Sequence, residues 1–295
     1  MRLRRPVLII ACLAVFYTIV LWQCQPEPTP PEVKAEIVHR LYLPIIYSKP
    51  KSALHGVCGG DLDKIGADWA YNWTWDTQGN PRLVPMIRDV TKMDHLLEAV
   101  ENAKASRDWL MGFNEPDKPE PYGHLTTPAE GADAWRAIEK AATDIKLLSP
   151  APSQDDPDWL WQMVAAYKSR YGGKPRFDAI GVHYYSGCPP DIEGGKRHLL
   201  RVRREALAHG YDVPLWSTEF GGWCVWPNPR SGNERMMREL IPWMKERPWI
   251  ARYSWFMSLI PPDVPWLPGD FSSCSLIDWQ TRELSELGRL YKELK

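Results

Sequence analysis

From His55 onward, short apolar runs alternate with longer amphipathic ones, and this alternation constrains the fold more than any other feature of the sequence. Eight runs have the length and character of strands: 55–58, 68–73, 83–87, 109–115, 146–151, 178–185, 214–220 and 251–257. The stretches between the later runs carry helix signals. Thr127-Pro-Ala-Glu130 has the form of a capping box with proline at the first helical position, Ser231-Gly-Asn-Glu234 has a related form, and Asp156-Pro157 opens the stretch after the fifth run. Gly172-Gly173 and Gly210 stand where helices should stop. Strand followed by helix, eight times within the usual span of about 250 residues, predicts an α/β fold of the (β/α)8 TIM-barrel kind over residues 55–295. The early units are trimmed, because Gly59–Ala67 allows barely two helical turns and Thr74–Pro81 none. An open α/β sheet is the alternative.

Residues 1–54 stand outside this pattern. Met1–Arg5 is basic and Val7–Trp22 is apolar, so 1–24 reads as a signal anchor or, second, a cleaved signal peptide. Residues 25–54 form a Pro-rich linker and lead-in. Either reading of the leader puts the bulk of the chain outside the cytoplasm, at the cell surface or extracellular, with the membrane as a partner if the leader stays. Disulfides are compatible with that address. Beyond the leader the cysteines are Cys58, Cys188, Cys224 and Cys274, with no C-x-x-C pair to suggest zinc. In a barrel Cys188 and Cys224 follow neighbouring strands, as do Cys58 and Cys274 once the ring closes. The pairing 188–224 is therefore favoured and 58–274 comes second, with free buried thiols as the alternative.

In such barrels the chemistry sits at the carboxyl ends of the strands. Two runs end in glutamate followed by turn residues: Trp109-Leu-Met-Gly-Phe-Asn-Glu-Pro116 and Leu215-Trp-Ser-Thr-Glu-Phe-Gly-Gly222. Burying one carboxylate in an apolar strand costs several kcal/mol unless it is paired, so two at equivalent ends suggest purpose. One such glutamate alone equally well caps a helix or binds an arginine. A pair suits glycosidic hydrolysis, which needs one protonated and one ionised carboxyl flanking the bond. Two totals agree with a sugar partner. The net charge of −1 gives no basis for binding nucleic acid, and 16 Trp and 12 Tyr against 6 Phe supply flat rings with polar edges. No H-E-x-x-H pattern occurs, and two carboxyls with water suffice, so no metal or cofactor is expected.

Around the pair, period-two alternation in Ile180-Gly-Val-His-Tyr-Tyr-Ser186 turns His183 and Tyr185 inward and Tyr184 towards the helices. Tyr185 can hydrogen-bond Glu219, and His183 a sugar hydroxyl or the same carboxylate. Trp255 is the candidate platform beneath the sugar, Tyr71 and Trp73 line one side of the cleft, and Trp223 with Trp226 builds a further subsite. Trp161 and Trp243, on helices, read as core.

Gly112-Phe-Asn-Glu-Pro-Asp117 and Trp216-Ser-Thr-Glu-Phe-Gly221 resemble the two signatures of the large retaining glycoside-hydrolase clan of (β/α)8 barrels. Within it the chain most resembles the fungal-type glycosyl hydrolase catalytic core group, which includes endo-β-1,3-glucanases of glycoside hydrolase family 128. Asp68-Trp-Ala-Tyr-Asn-Trp73 fits that group better than the cellulases. The likeness runs from about His55 to the end. It implies Glu115 as acid/base, Asn114 on the substrate's 2-hydroxyl, and Glu219 as nucleophile about 5–5.5 Å away. It also implies a β-glucan substrate, cut internally; separately, the chain is expected to be a monomer. Two alternatives stay open: a non-catalytic sugar-binding barrel, and a hydrolase of mannan, xylan or β-1,4-glucan.

Overall fold

The computed structural model describes residues 55–222, 229–261 and 272–295. The leader (1–24), the lead-in (25–54), Trp223, Cys224 and Trp226 lie outside the described residues. Among those described, no helix is long and apolar enough to cross a membrane.

The elements follow in the order β1 (His55–Cys58), α1 (Leu62–Ile65), β2 (Trp69–Tyr71), a 3-10 segment (Val90–His95) leading into α2 (Leu96–Ala105), then β3 (Trp109–Met111) and α3 (Pro128–Ala141). Next come β4 (Lys146–Leu148), α4 (Trp159–Tyr171), β5 (Ile180–Ser186), α5 (Ile192–Ala208) and β6 (Leu215–Gly222). Helix α6 (Pro229–Lys245), β7 (Ile250–Trp255) and α7 (Glu286–Glu293) complete the series. The strands pair in parallel, in the orders β2-β1-β7-β6-β5 and β3-β4. Isolated parallel bridges link the edges, Ala70 to Leu83, Met86 to Met111 and Leu148 to Ala179. The fold is α/β, with a parallel sheet flanked by helices and a barrel-like strand order.

The third expected strand, 83–87, is reduced to those bridges. Pro85 has no amide to give, so only its carbonyl pairs, accepting from the Met111 amide at 2.9 Å. The capping box expected at Ser231–Glu234 is also absent as such, since α6 already begins at Pro229. The Thr127–Glu130 box is formed as expected and Gly172 ends α4 in the left-handed region.

Alternation along the strands sorts side chains into two apolar layers. Cys58, Trp69, Tyr71, Met86, Met111, Leu148, Trp216 and Phe256 pack on the inner face. Val57, Ala70, Leu110, Leu147, Phe220 and Trp255 pack outward with the helices. Strand β6 does not keep strict alternation. Val182 pairs with Ser217 and His183 with Glu219, while across the other edge Ser217 pairs with Tyr253 and Phe220 with Trp255. Thr218 is thus an extra residue on β6, a bulge that changes the parity of everything beyond it. Trp216 and Glu219, three positions apart, both face inward because of it.

The expected 58–274 disulfide is not made. Both cysteines are buried thiols. Cys58 ends β1 on the inner face, with its sulfur against Ser254 Oγ, whereas Cys274 hydrogen-bonds the Gly222 carbonyl at 2.9 Å. The pairing of Cys188 with Cys224 ends on a residue outside those described.

Candidate active site

Glu115 follows β3 and Glu219 lies in β6, and the barrel-like order brings them together across His183 of β5. The Nδ1 atom of His183 is 3.0 Å from Glu115 Oε1 and 3.6 Å from Glu219 Oε2. One carboxylate oxygen from each glutamate and this ring nitrogen all lie within 4.8 Å of one another. Three donors converge on Glu219. Tyr71 Oη and Trp73 Nε1 each donate to Oε1 at 2.9 Å, and Tyr185 Oη donates to Oε2 at 2.6 Å. All three bring a proton, so they complement a carboxylate rather than a carboxylic acid.

Glu115 is held differently. Its side chain is 13% exposed against 5% for Glu219, and His183 is its hydrogen-bond partner. Burial raises its pKa above the ordinary carboxylate value, the charges of Glu219 and Asp117 push the same way, and the His183 hydrogen bond opposes them without prevailing. For His183, burial alone favours the neutral ring. The charge on Glu219 and the bond to Glu115 outweigh it, and the pKa is raised. Burial, reinforced by the charge of Glu219, carries Tyr71 and Tyr185 well above the usual phenol value, so both keep their protons.

Glu115 has φ 39, in the left-handed region that costs a non-glycine residue about 1–3 kcal/mol. The surrounding loop holds it there. The Glu115 amide donates to the Ala151 carbonyl and its carbonyl accepts from the Lys118 amide, both at 2.9 Å. The Asp117 carboxylate accepts from the Ser153 amide at 2.7 Å, which ties the loop after β3 to the one after β4. Gly123 packs against the Glu115 carbonyl so closely that an added Cβ would lie 1.9 Å from that oxygen. Gly123→Ala is therefore expected to displace Glu115 and lower kcat by about 10²-fold in a folded protein. The control is Gly173→Ala, whose methyl meets nothing within 4 Å. Turnover beside circular dichroism decides it, and equal rates in the two variants would refute the positioning.

The other expected site residues divide. Tyr185, His183 and Trp73 lie at the pair, and Tyr184 faces the helices, with Gly195 packed against its ring. Tyr71 is fully buried, so it lines no cleft and meets Glu219 from beneath. Asn114 donates to the Tyr122 carbonyl at 3.0 Å, leaving its buried Oδ1 without a partner among the described residues. Trp255 is not at the site. It faces outward, wholly buried against Phe220 and Tyr291, with its indole N–H on the Cys274 carbonyl at 2.8 Å. Phe256, one residue on, faces inward, edge-on to Trp73 and Tyr185 at 5.9 and 5.6 Å. Trp161 and Trp243 are packed residues, as expected: Trp161 stacks on His209 and Trp243 packs against Trp249. Gln154, which no sequence signal marks, accepts from the Tyr185 amide.

Glu115, His183 and Glu219 are also the group among the described residues whose ligand atoms lie close enough to share a metal ion. Both oxygens of Glu219 already accept hydrogen bonds, and His183 Nδ1 is turned to Glu115, so an ion there would have to displace these partners.

The model of the glycosyl hydrolase catalytic core family matches residues 55–291. This chain belongs to that family. Solved structures similar to this glycosyl hydrolase share its fold. One is an endo-β-1,3-glucanase of glycoside hydrolase family 128, subgroup I, from Amycolatopsis mediterranei, in complex with laminaripentaose. It has 22% identity and a TM-score of 0.65 over 83% of this chain and 100% of that one. A subgroup II endo-β-1,3-glucanase from Sorangium cellulosum has 25% identity and a TM-score of 0.63, over 81% and 98% of the two chains. A subgroup III curdlan-specific exo-β-1,3-glucanase from Blastomyces gilchristii, in complex with glucose, has 20% identity and a TM-score of 0.65, over 80% and 96%. No curated protein matches this chain in sequence.

Proposed function

We propose that this glycosyl hydrolase cuts β-1,3-glucan internally, with retention, using Glu219 as nucleophile and Glu115 as acid/base. The observation that carries the reading is the pair of carboxylates, with one oxygen of each within 4.8 Å of the other and with opposite surroundings. Retaining enzymes hold their carboxyls about 5–5.5 Å apart, whereas inverting ones leave about 6.5–9.5 Å for a water. Glu219, served by three donors, attacks the anomeric carbon while Glu115 gives its proton to the leaving oxygen. Glu115 then takes a proton from water, which hydrolyses the glycosyl ester. The substrate reading is supported by the β-1,3-glucanases among the similar structures. Trp73 and Phe256 are the candidate aromatic surfaces for the sugar, with Asn114 Oδ1 as a hydroxyl acceptor. The basic-then-apolar leader supports a place at the cell surface or outside the cell.

The test is incubation of the purified chain with curdlan, laminarin, mannan, xylan and a β-1,4-glucan. Product lengths are followed by chromatography and the first-formed anomer by proton NMR. Mixed oligosaccharides from the β-1,3-glucans, with β-anomers appearing first, are expected. Glucose as the sole early product would replace the internal mode by an end-cutting one, and α-anomers appearing first would exclude retention. Binding without cleavage would make the chain a sugar-binding barrel.

A further inference from the structure

Beneath the nucleophile lies a chain of protic groups that the proposed mechanism does not use. Ser254, Cys58 and Tyr71 are each 0% exposed, so no solvent proton serves them. Cys58 Sγ is 3.2 Å from Ser254 Oγ, 3.4 Å from Tyr71 Oη and 3.4 Å from the carbonyl oxygen of Thr218. Tyr71 Oη is 2.9 Å from Glu219 Oε1 and 3.1 Å from the same Thr218 carbonyl. That carbonyl belongs to the bulge residue of β6, which leaves it turned into the interior.

The phenol has one proton and two acceptors within reach. A buried carbonyl left without a donor costs about 1–3 kcal/mol, so the Thr218 oxygen competes with Glu219 for that proton. The thiol resolves the competition. With Ser254 donating to the sulfur and the S–H donating to Thr218, every acceptor is served and the Tyr71 proton goes to Glu219.

We propose that Cys58 is a positioning residue for Glu219, its thiol occupying the Thr218 carbonyl so that the Tyr71 proton stays on the nucleophile. The role rests on the function proposed above. It also accommodates the covalent intermediate. Once Glu219 is a neutral ester it accepts more weakly, and rotation of two hydrogens gives a second arrangement, Tyr71 to Thr218 and Cys58 to the Tyr71 oxygen. No bond between heavy atoms changes. A weak S–H donor suits a group that must change partner twice in each turnover.

The test uses Cys58→Ala and Cys58→Ser in the full chain, with Tyr71→Phe as the second arm of a double-mutant cycle. Cys58→Ala should lower kcat on the preferred glucan about tenfold with KM nearly unchanged, the loss of one charge-assisted bond. The acid limb of its pH profile should move to higher pH, and Cys58→Ser should recover most of the rate. In the Tyr71→Phe background the same alanine should cost nothing further. A crystal structure of Cys58→Ala reads the proposal without turnover: Tyr71 Oη should move towards Thr218 and away from Glu219. In a chain that cuts no glucan, that displacement still supports the positioning and only the proposed function fails. An unmoved Tyr71 hydroxyl, or an equal loss of rate with and without Tyr71, overturns the proposal.

Discussion

On the proposed mechanism, Glu219→Gln will lower kcat on β-1,3-glucan by about 10⁴-fold or more, because it removes the oxygen assigned to the covalent intermediate. The amide is nearly isosteric, so the fold should survive. Its surroundings will not suit it. Tyr71, Trp73 and Tyr185 all present donors to the Glu219 oxygens, and an amide NH2 turned towards them meets donor with donor. Reduced thermal stability should therefore accompany the lost activity. A second variant, Glu219→Ala, separates the two effects, since it opens room for a small anion. Azide should then restore cleavage of an activated aryl β-glucoside and give the α-glycosyl azide, identified by NMR. If Glu219→Ala retains ordinary turnover without azide, Glu219 is not the nucleophile.

Glu115→Gln should behave differently, and the difference assigns the roles. Loss of a general acid costs about 10²–10⁴-fold on a natural glucan, whose leaving alcohol needs a proton. A dinitrophenyl glycoside has a leaving group that needs none, so its first step should proceed near the wild-type rate and the glycosyl-enzyme should accumulate. Azide should hasten its breakdown and yield a β-glycosyl azide. The pH profile follows the same logic. The pKa of Glu115 is raised, chiefly by burial, so the acid form persists further up the pH scale than for a free carboxyl. Activity of the wild type should fall as pH rises through that value, and this basic limb should vanish in Glu115→Gln. A limb that stays in place would assign it to another group, with His183 the first to examine.

Much of this site is legible in the sequence because a carboxylate ending an apolar strand is costly to keep unless it has work to do. Glu115 and Glu219 stand out on that ground, and His183 and Tyr185 follow from simple alternation in β5. The failures have specific causes. Trp255 attracts attention by its ring, although alternation from Arg252, which lies on the inner face over Trp216, already turns Trp255 outward. Tyr71 reads as a cleft residue because nothing in Asp68–Trp73 reveals how deep its side chain lies. The weak third strand is signalled by Pro81 and Pro85. Pairing Cys58 with Cys274 equates adjacency of strands with adjacency of side chains, yet one sulfur points inward and the other lies against the end of β6. Gln154 has no sequence signal, because its role depends on a backbone amide in another segment, that of Tyr185.

The bulge at Thr218 has a consequence for anyone who would move this chemistry to another scaffold. The lower half of β6 is keyed to its neighbours through Trp216, and the upper half through Glu219, in registers that differ by one residue. Transplanting the motif onto a regular strand would deliver the glutamate to the helices, with every motif residue present and the reagent on the wrong side of the wall. The transferable unit is therefore the segment together with its irregularity, and deletion of Thr218 alone should turn the Glu219 side chain from the inner face to the outer one.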